Sequence, residues 1–189
     1  NLSAVEMLNL SALVRFENQT IVIGKTWQGG IIFYVDKSGE HGLIAAPKDL
    51  TDSSGNAAYI EWWNGSYTNT GAKATAVGTG QANTTAIVVS SQGADSYAAK
   101  LCDDLVIGKY SDWYLPSKDE LNLMYNNIGQ GATTPLTNIG KFASYYYWSS
   151  SEDTGINGWG NAWGQDFDHG SQVYFSVNNT VFVRAIRSF

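Results

Sequence analysis

Asp166-Phe167-Asp168-His169 places two carboxylates beside one of only two histidines in the chain, the other being His41. Two acids and an imidazole could hold a cation weakly or relay a proton. Neither histidine stands at metal-ligand spacing to another His or to a Cys, so the segment is read as solvated turn chemistry with no resident metal and no cofactor. Asp103-Asp104 and Asp119-Glu120 are acidic pairs without the spaced oxygen ligands of a calcium loop. The single cysteine, Cys102, follows Ala98-Ala99-Lys100-Leu101 and reads as a small core side chain on a helix rather than a nucleophile. The many serines allow a Ser-His-Asp set on paper, but no G-x-S-x-G turn presents a nucleophile. The residues therefore point away from an enzyme.

Composition narrows the partners. The chain has 189 residues, a formal net charge of −6 and a pI near 4.7. An acidic surface without a Lys/Arg run repels a phosphate backbone, so nucleic acid is excluded as a partner. No apolar run approaches the ~20 residues that cross a bilayer, and no polybasic anchor is present, so membrane insertion is not expected. Seven Trp, 11 Tyr and 20 Gly against 15% charged residues indicate a turn-rich fold that buries large rings. The chain opens on Asn1 rather than Met, which leaves room for a processed leader or an upstream domain.

The elements that must position these residues follow from pattern. Val5, Leu8, Leu10, Leu13 and Val14 make residues 1–20 a separate N-terminal segment of helix-like spacing; packing on the domain and an oligomer contact both remain open. Residues 21–189 read as one domain. Ile21–Ile23 and Ile31–Val35 are strand candidates joined through Gly29-Gly30, followed by Gly42–Ala46 and Tyr59–Trp63. Helical patterns follow at Ala82–Ser90, Ala94–Leu105 and Ser117–Asn126. The last has Ser117 as N-cap, Glu120 three residues on as the second half of a capping box, and Leu121, Met124 and Tyr125 on its apolar side. Strand patterns then return at Tyr145–Ser149, Asn161–Phe167, Gln172–Ser176 and Val181–Ile186. Strands, helices, then strands argue an α+β fold in a single domain.

Several words in this order resemble a known family. Trp113-Tyr114-Leu115-Pro116-Ser117-Lys118-Asp119-Glu120-Leu121 resembles the W-x-L-P-x-x-x-E-L signature of the Lcl C-terminal (collagen-like adhesin C-terminal) domain. Tyr147-Trp148-Ser149-Ser150-Ser151-Glu152, then Ala162-Trp163, Phe167, Gly170 and Val183-Arg184-Ala185-Ile186-Arg187, follow in that family's order. Gly29-Gly30-Ile31-Ile32 and His41-Gly42-Leu43-Ile44-Ala45-Ala46 resemble its N-terminal half. The resemblance implies a C-type-lectin-like fold and no established catalysis. Formylglycine-generating enzymes share the broader fold but need paired cysteines, and this chain has one. Within the words, Trp148 and Trp163 need acceptors for their indole N–H groups if buried, and Ser149 to Glu152 can satisfy nearby backbone donors. Arg184 and Arg187, three apart, are expected to face opposite sides of a regular strand, one of them partnering Glu152 and the other exposed.

Between the framework words lies the segment expected to carry function, about residues 153–182. Relatives diversified by retroelements carry asparagine-rich templates here, whose adenines are copied with errors. An AAC codon freed at its first two positions reaches Gly164, Asp166, Asp168, His169, Ser171, Val173, Tyr174, Phe175 and Ser176, but not Lys, Glu, Gln, Met or Trp. Gln165 and Gln172 fall where the family pattern also has Gln. Tyr174 and Phe175 offer large contact area at low entropy cost, and Asp166, Asp168 and His169 offer polar specificity. Alternation sends Phe167 to the core and sets Asp166 and Asp168 outside. Thr154, Ile156, Asn157 and Asn161 extend the candidate set, as does Val177. The resemblance thus implies a ligand-binding display protein, cell-surface, secreted or virion-exposed, whose partner is a protein or cell-surface ligand, glycans included. A fixed adhesin domain without diversification is the alternative.

Overall fold

The computed structural model describes residues 21–51, 55, 59–90, 96–153 and 160–189. The N-terminal segment 1–20 and the candidates Thr154, Ile156 and Asn157 lie outside the described residues. The chain runs β1 (Thr26–Trp27), β2 (Gly30–Val35), β3 (Gly42–Ala45), β4 (Ile60–Glu61), α1 (Gly80–Val89), α2 (Ala98–Asp103), α3 (Lys118–Ile128), β5 (Tyr146–Asp153), β6 (Asn161–Asp166), β7 (Gln172–Ser176), β8 (Thr180–Val181) and β9 (Ile186–Ser188). The order is strands, helices, strands, and the class is α+β.

Three small antiparallel sheets result, ordered β1-β2-β3-β9, β4-β8 and β5-β6-β7. The β1–β2 turn uses Gln28 and Gly29, both at positive φ (45° and 92°), the handedness that matches strand twist in a two-residue hairpin. The strand before this turn is Thr26–Trp27, not Ile21–Ile23, which carries no strand pairing. β3 is buried at all four positions because its sheet has core on both sides. Ile32 and Ile44 enter one cluster, built on Trp62, Trp113 and Trp148. Phe33, Leu43 and Ala45 enter the other, built on Leu121, Met124, Tyr147 and Phe167. A two-sided strand needs no polar alternation, which is why Gly-Leu-Ile-Ala runs unbroken.

Ser117 caps α3 as its spacing predicts. Its Oγ accepts from the Glu120 amide at 3.3 Å, and the Glu120 carboxylate accepts from the Ser117 amide at 2.7 Å. Glu120 also accepts from the Gly78 amide at 2.8 Å, tying the loop before α1 to α3. Burial raises the Glu120 pKa, against these hydrogen bonds. Helix α2 is shorter than its pattern, starting at Ala98, with Cys102 fully buried and its thiol pKa pushed up by desolvation.

The arginine expectation is corrected. Val181–Ile186 is not one strand: β8 ends at Val181 and β9 begins at Ile186, and the chain between them passes from one sheet to another. Strand alternation therefore does not apply, and both arginines are buried. Arg184 pairs with Asp49 at 2.6 Å and donates to the Ala46 and Gly140 carbonyls. Arg187 makes a two-pronged pair with Asp112, both bonds 2.7 Å, which holds the Asp112 carboxyl below its usual range. Glu152 partners neither; its Oε1 accepts from the Thr70 amide at 3.0 Å.

Candidate functional site

The described part of the candidate segment, 160–182, holds the β6–β7 hairpin and β8, and β5 fixes the hairpin from the other side. β5 is buried from Tyr147 through Ser151. Trp148 donates its indole N–H to the Ile60 carbonyl at 2.9 Å, and Trp62 donates to the Ser149 carbonyl at 2.8 Å. Ser149 Oγ donates to Trp163 O at 2.8 Å, and Ser151 Oγ donates to Ala74 O at 2.7 Å while accepting from the Lys118 amide at 3.0 Å. Buried polar groups this fully bonded hold a backbone in one place.

The register sorts the hairpin side chains. Ala162 stands opposite Phe175 and Gly164 opposite Val173, on the face shared with Tyr146 and Trp148. Phe175 packs edge-on to Tyr146 and Trp148, with centroids 5.0 and 5.8 Å apart. On the other face Trp163 stands opposite Tyr174, their rings 5.6 Å apart, with the Lys118 ammonium 3.3 Å over the indole. Gln172 anchors the hairpin to α3 by donating to Lys118 O at 3.2 Å.

The connecting turn is built around Asp166. Its Oδ1 accepts from the Asp168 amide at 2.8 Å and the His169 amide at 3.3 Å, and its Oδ2 lies 3.0 Å from His169 Nδ1. Burial pushes the Asp166 pKa up, but the two amides and the imidazole outweigh it and the net shift is downward. The Asp166 hydrogen bond, helped by the Asp168 charge, raises the His169 pKa. Asp166 is only 7% exposed, so the expectation that it stands outside is corrected: the turn amides need an acceptor, and the carboxylate folds in to supply it.

Asp168, His169, Ser171 and Tyr174 are exposed; Asn161, Val173, Phe175 and Ser176 are half-buried; Gly164 and Val177 are buried. A Cβ at Gly164 would lie 2.8 Å from Tyr147 O and 3.2 Å from the Phe175 ring, so that position supports the sheet rather than facing a ligand. Val177 closes the Trp62 cluster. The accessible side chains are thus the turn and β7. Alternation missed an adjoining group of rings: Tyr59 and Tyr145, both exposed and 6.0 Å apart, lie against Phe182. The Tyr145-Tyr146-Tyr147 run was the available signal, since only Tyr147 is needed inside.

Elsewhere, a cleft of about 320 Å³ gathers Asp36, His41 and Ser188. Asp36 accepts from Ser38 and donates its amide to the His41 carbonyl at 2.8 Å, and Ser188 bonds the Tyr114 hydroxyl at 2.9 Å; among the described residues no hydrogen bond to the His41 imidazole joins these groups into a relay. Nor, among them, does any group of three or more His, Cys, Asp or Glu converge as metal ligands, and no helix is long and apolar enough to cross a membrane.

The framework geometry coincides with a family match. The model of the Lcl C-terminal domain matches residues 51–187. The chain belongs to the Lcl C-terminal domain family. No curated protein matches it. The matched residues of this Lcl C-terminal domain run from β4 to within β9 and include the α3 capping box, the β5 serines, both arginines and the whole β6–β7 hairpin. They leave out β1–β3, although β3 pairs with β9 and completes the two-sided core. The family gives the domain an adhesin-like character.

Proposed function

We propose that this adhesin-like domain is a non-enzymatic ligand-binding module on a C-type-lectin-like scaffold, and that its contact surface is the β6–β7 hairpin, diversified by a retroelement. The observation that carries the reading is the contrast within one sheet. β5 is locked by buried hydrogen bonds, whereas the turn and β7 expose Asp168, His169, Ser171 and Tyr174, with Val173, Phe175 and Ser176 half-exposed. Three of these seven have aromatic or β-branched side chains, an unusual load for a surface hairpin and a useful one for binding. All seven are reachable from AAC codons, while the buried Gln165 and half-buried Gln172 are not. Sequencing the DNA beside the gene tests this. A near-repeat with Asn codons at these positions and an adjacent reverse transcriptase is expected; their absence removes the diversification claim and leaves the binding claim standing.

A fixed glycan-binding adhesin is the second reading, and the Tyr59–Tyr145–Phe182 rings favour it. They are exposed aromatic planes of the kind that sugar rings stack on, and Tyr59 and Tyr145 precede the variable segment. The net charge of −6 argues for neutral over sulfated glycans. A glycan array on which Tyr145→Ala loses signal and Tyr174→Ala keeps it would select this reading.

A further inference from the structure

β7 is the outer strand of its sheet, and the direction of its free hydrogen-bonding groups follows from the ladder. The Asp166 amide donates to Ser171 O and the Val177 amide to Gly160 O, both at 2.8 Å. Bonded and non-bonded pairs alternate in an antiparallel ladder, so with the observed register Gly164–Val173 and Ala162–Phe175 are also bonded pairs. Gln172, Tyr174 and Ser176 therefore turn their N–H and C=O groups away from β6. Among the described residues only one of these groups has a backbone partner, Ser176 O, which accepts from Asn179 at 2.9 Å. Edge strands are ordinarily guarded by Lys, Pro, inward charges or bulges. Gln172-Val173-Tyr174-Phe175-Ser176 has none of the residue guards, and its register against β6 is regular throughout.

We propose that this edge pairs with β7 of a second copy, antiparallel about a two-fold axis at Tyr174. The register is self-complementary. Tyr174 meets Tyr174, Val173 meets Phe175 and Gln172 meets Ser176, giving about six main-chain hydrogen bonds and two β-branched–aromatic cross-strand pairs. Charge favours the same occupant. The chain carries −6, so most self-contacts are repulsive, yet this strand is uncharged and its flanks avoid like charges: Asp168 meets Thr180 and His169 meets Asn179. Pairing runs in the plane of the sheet, so it leaves the packing of Phe175 on Tyr146 and Trp148 undisturbed and joins the two sheets edge to edge. It does not depend on diversification. A five-residue edge is far smaller than a standard interface of about 1,600 Å², so association is weak, with Kd on the order of 100 μM.

Sedimentation of the full chain across a concentration series spanning that Kd tests the proposal. Wild type is expected to move from monomer to dimer. Tyr174→Pro removes an N–H the fold does not use, so it is expected to keep the melting temperature and weaken dimerisation roughly thirtyfold. Tyr174→Asp and Tyr174→Lys are each expected to stay monomeric, and their equal mixture to recover a heterodimer. A wild type that stays monomeric throughout, including one whose edge instead takes a foreign strand, overturns the proposal. So does a dimer that Tyr174→Pro leaves intact, or an Asp/Lys mixture that associates no more than its parts.

Discussion

β5 and β7 flank the same strand, β6, and are bonded to it in the same antiparallel sense, yet they carry opposite loads. β5 is buried from Tyr147 to Ser151, and its serines bond backbone groups from the loop before α1, from α3 and from β6. β7 has one exposed and four half-buried positions, and its side chains touch mainly rings. One sheet thus couples a strand that can scarcely change to a strand with an exposed position, Tyr174, at which the fold barely feels a change. That is what a binding surface needs if its side chains are to vary over a constant backbone.

The comparison breaks most visibly at matched aromatics. Trp148→Ala empties a fully buried indole site and orphans the Ile60 carbonyl, so it is expected to cost about 3–5 kcal/mol. Tyr174→Ala removes a ring that is 58% exposed and is expected to cost less than about 0.5 kcal/mol. Chemical denaturation of the two variants measures both. Similar losses would mean that β7 is as structural as β5.

A smaller effect sharpens the role of the serine run. Ser151→Ala removes the acceptor of the Lys118 amide and the donor to Ala74 O, both in buried surroundings, and is expected to cost about 1–3 kcal/mol. Ser171→Ala, on the exposed turn, is expected to stay within the error of the same experiment. A neutral Ser151→Ala would shift the weight of the framework from β5 hydrogen bonds to ring packing alone.

The legible part of the fold follows the same division. The α3 capping box was readable because Ser117 and Glu120 satisfy each other within one turn, a local rule that tertiary context reinforced. Phe167 was readable from alternation, since β6 is regular up to Asp166. Arg184 and Arg187 were not, because Arg184 lies in the connection between β8 and β9 and Arg187 within β9, and no spacing rule survives a change of sheet. Asp166 was misplaced because alternation treats a carboxylate as a solvent group, whereas a tight turn presents amides that need one inside. The partners Asp49 and Asp112 lie 135 and 75 residues from their arginines and have no local signature at all.

The smallest effect tests whether the turn is a pliable contact or a braced one. His169 is largely exposed, yet its imidazole lies 3.0 Å from Asp166 Oδ2 and 3.6 Å from Asp168 Oδ2. The Asp166 hydrogen bond, then the Asp168 charge, raises its pKa above the ordinary value of about 6.5. A raised imidazole pKa contributes stability that is fully present below the unfolded value and is lost as pH rises through the folded one. The turn should therefore be tightest below about pH 6.5 and loosen only as pH passes the higher folded midpoint. Following the His169 ring protons by NMR gives that midpoint directly, and Asp166→Asn is expected to return it toward 6.5. A midpoint at or below 6.5 in the unaltered chain would mean that the two carboxylates do not hold the imidazole in solution. The tip of the hairpin would then be free to reshape around a partner, and only the β6–β7 ladder would fix the contact surface.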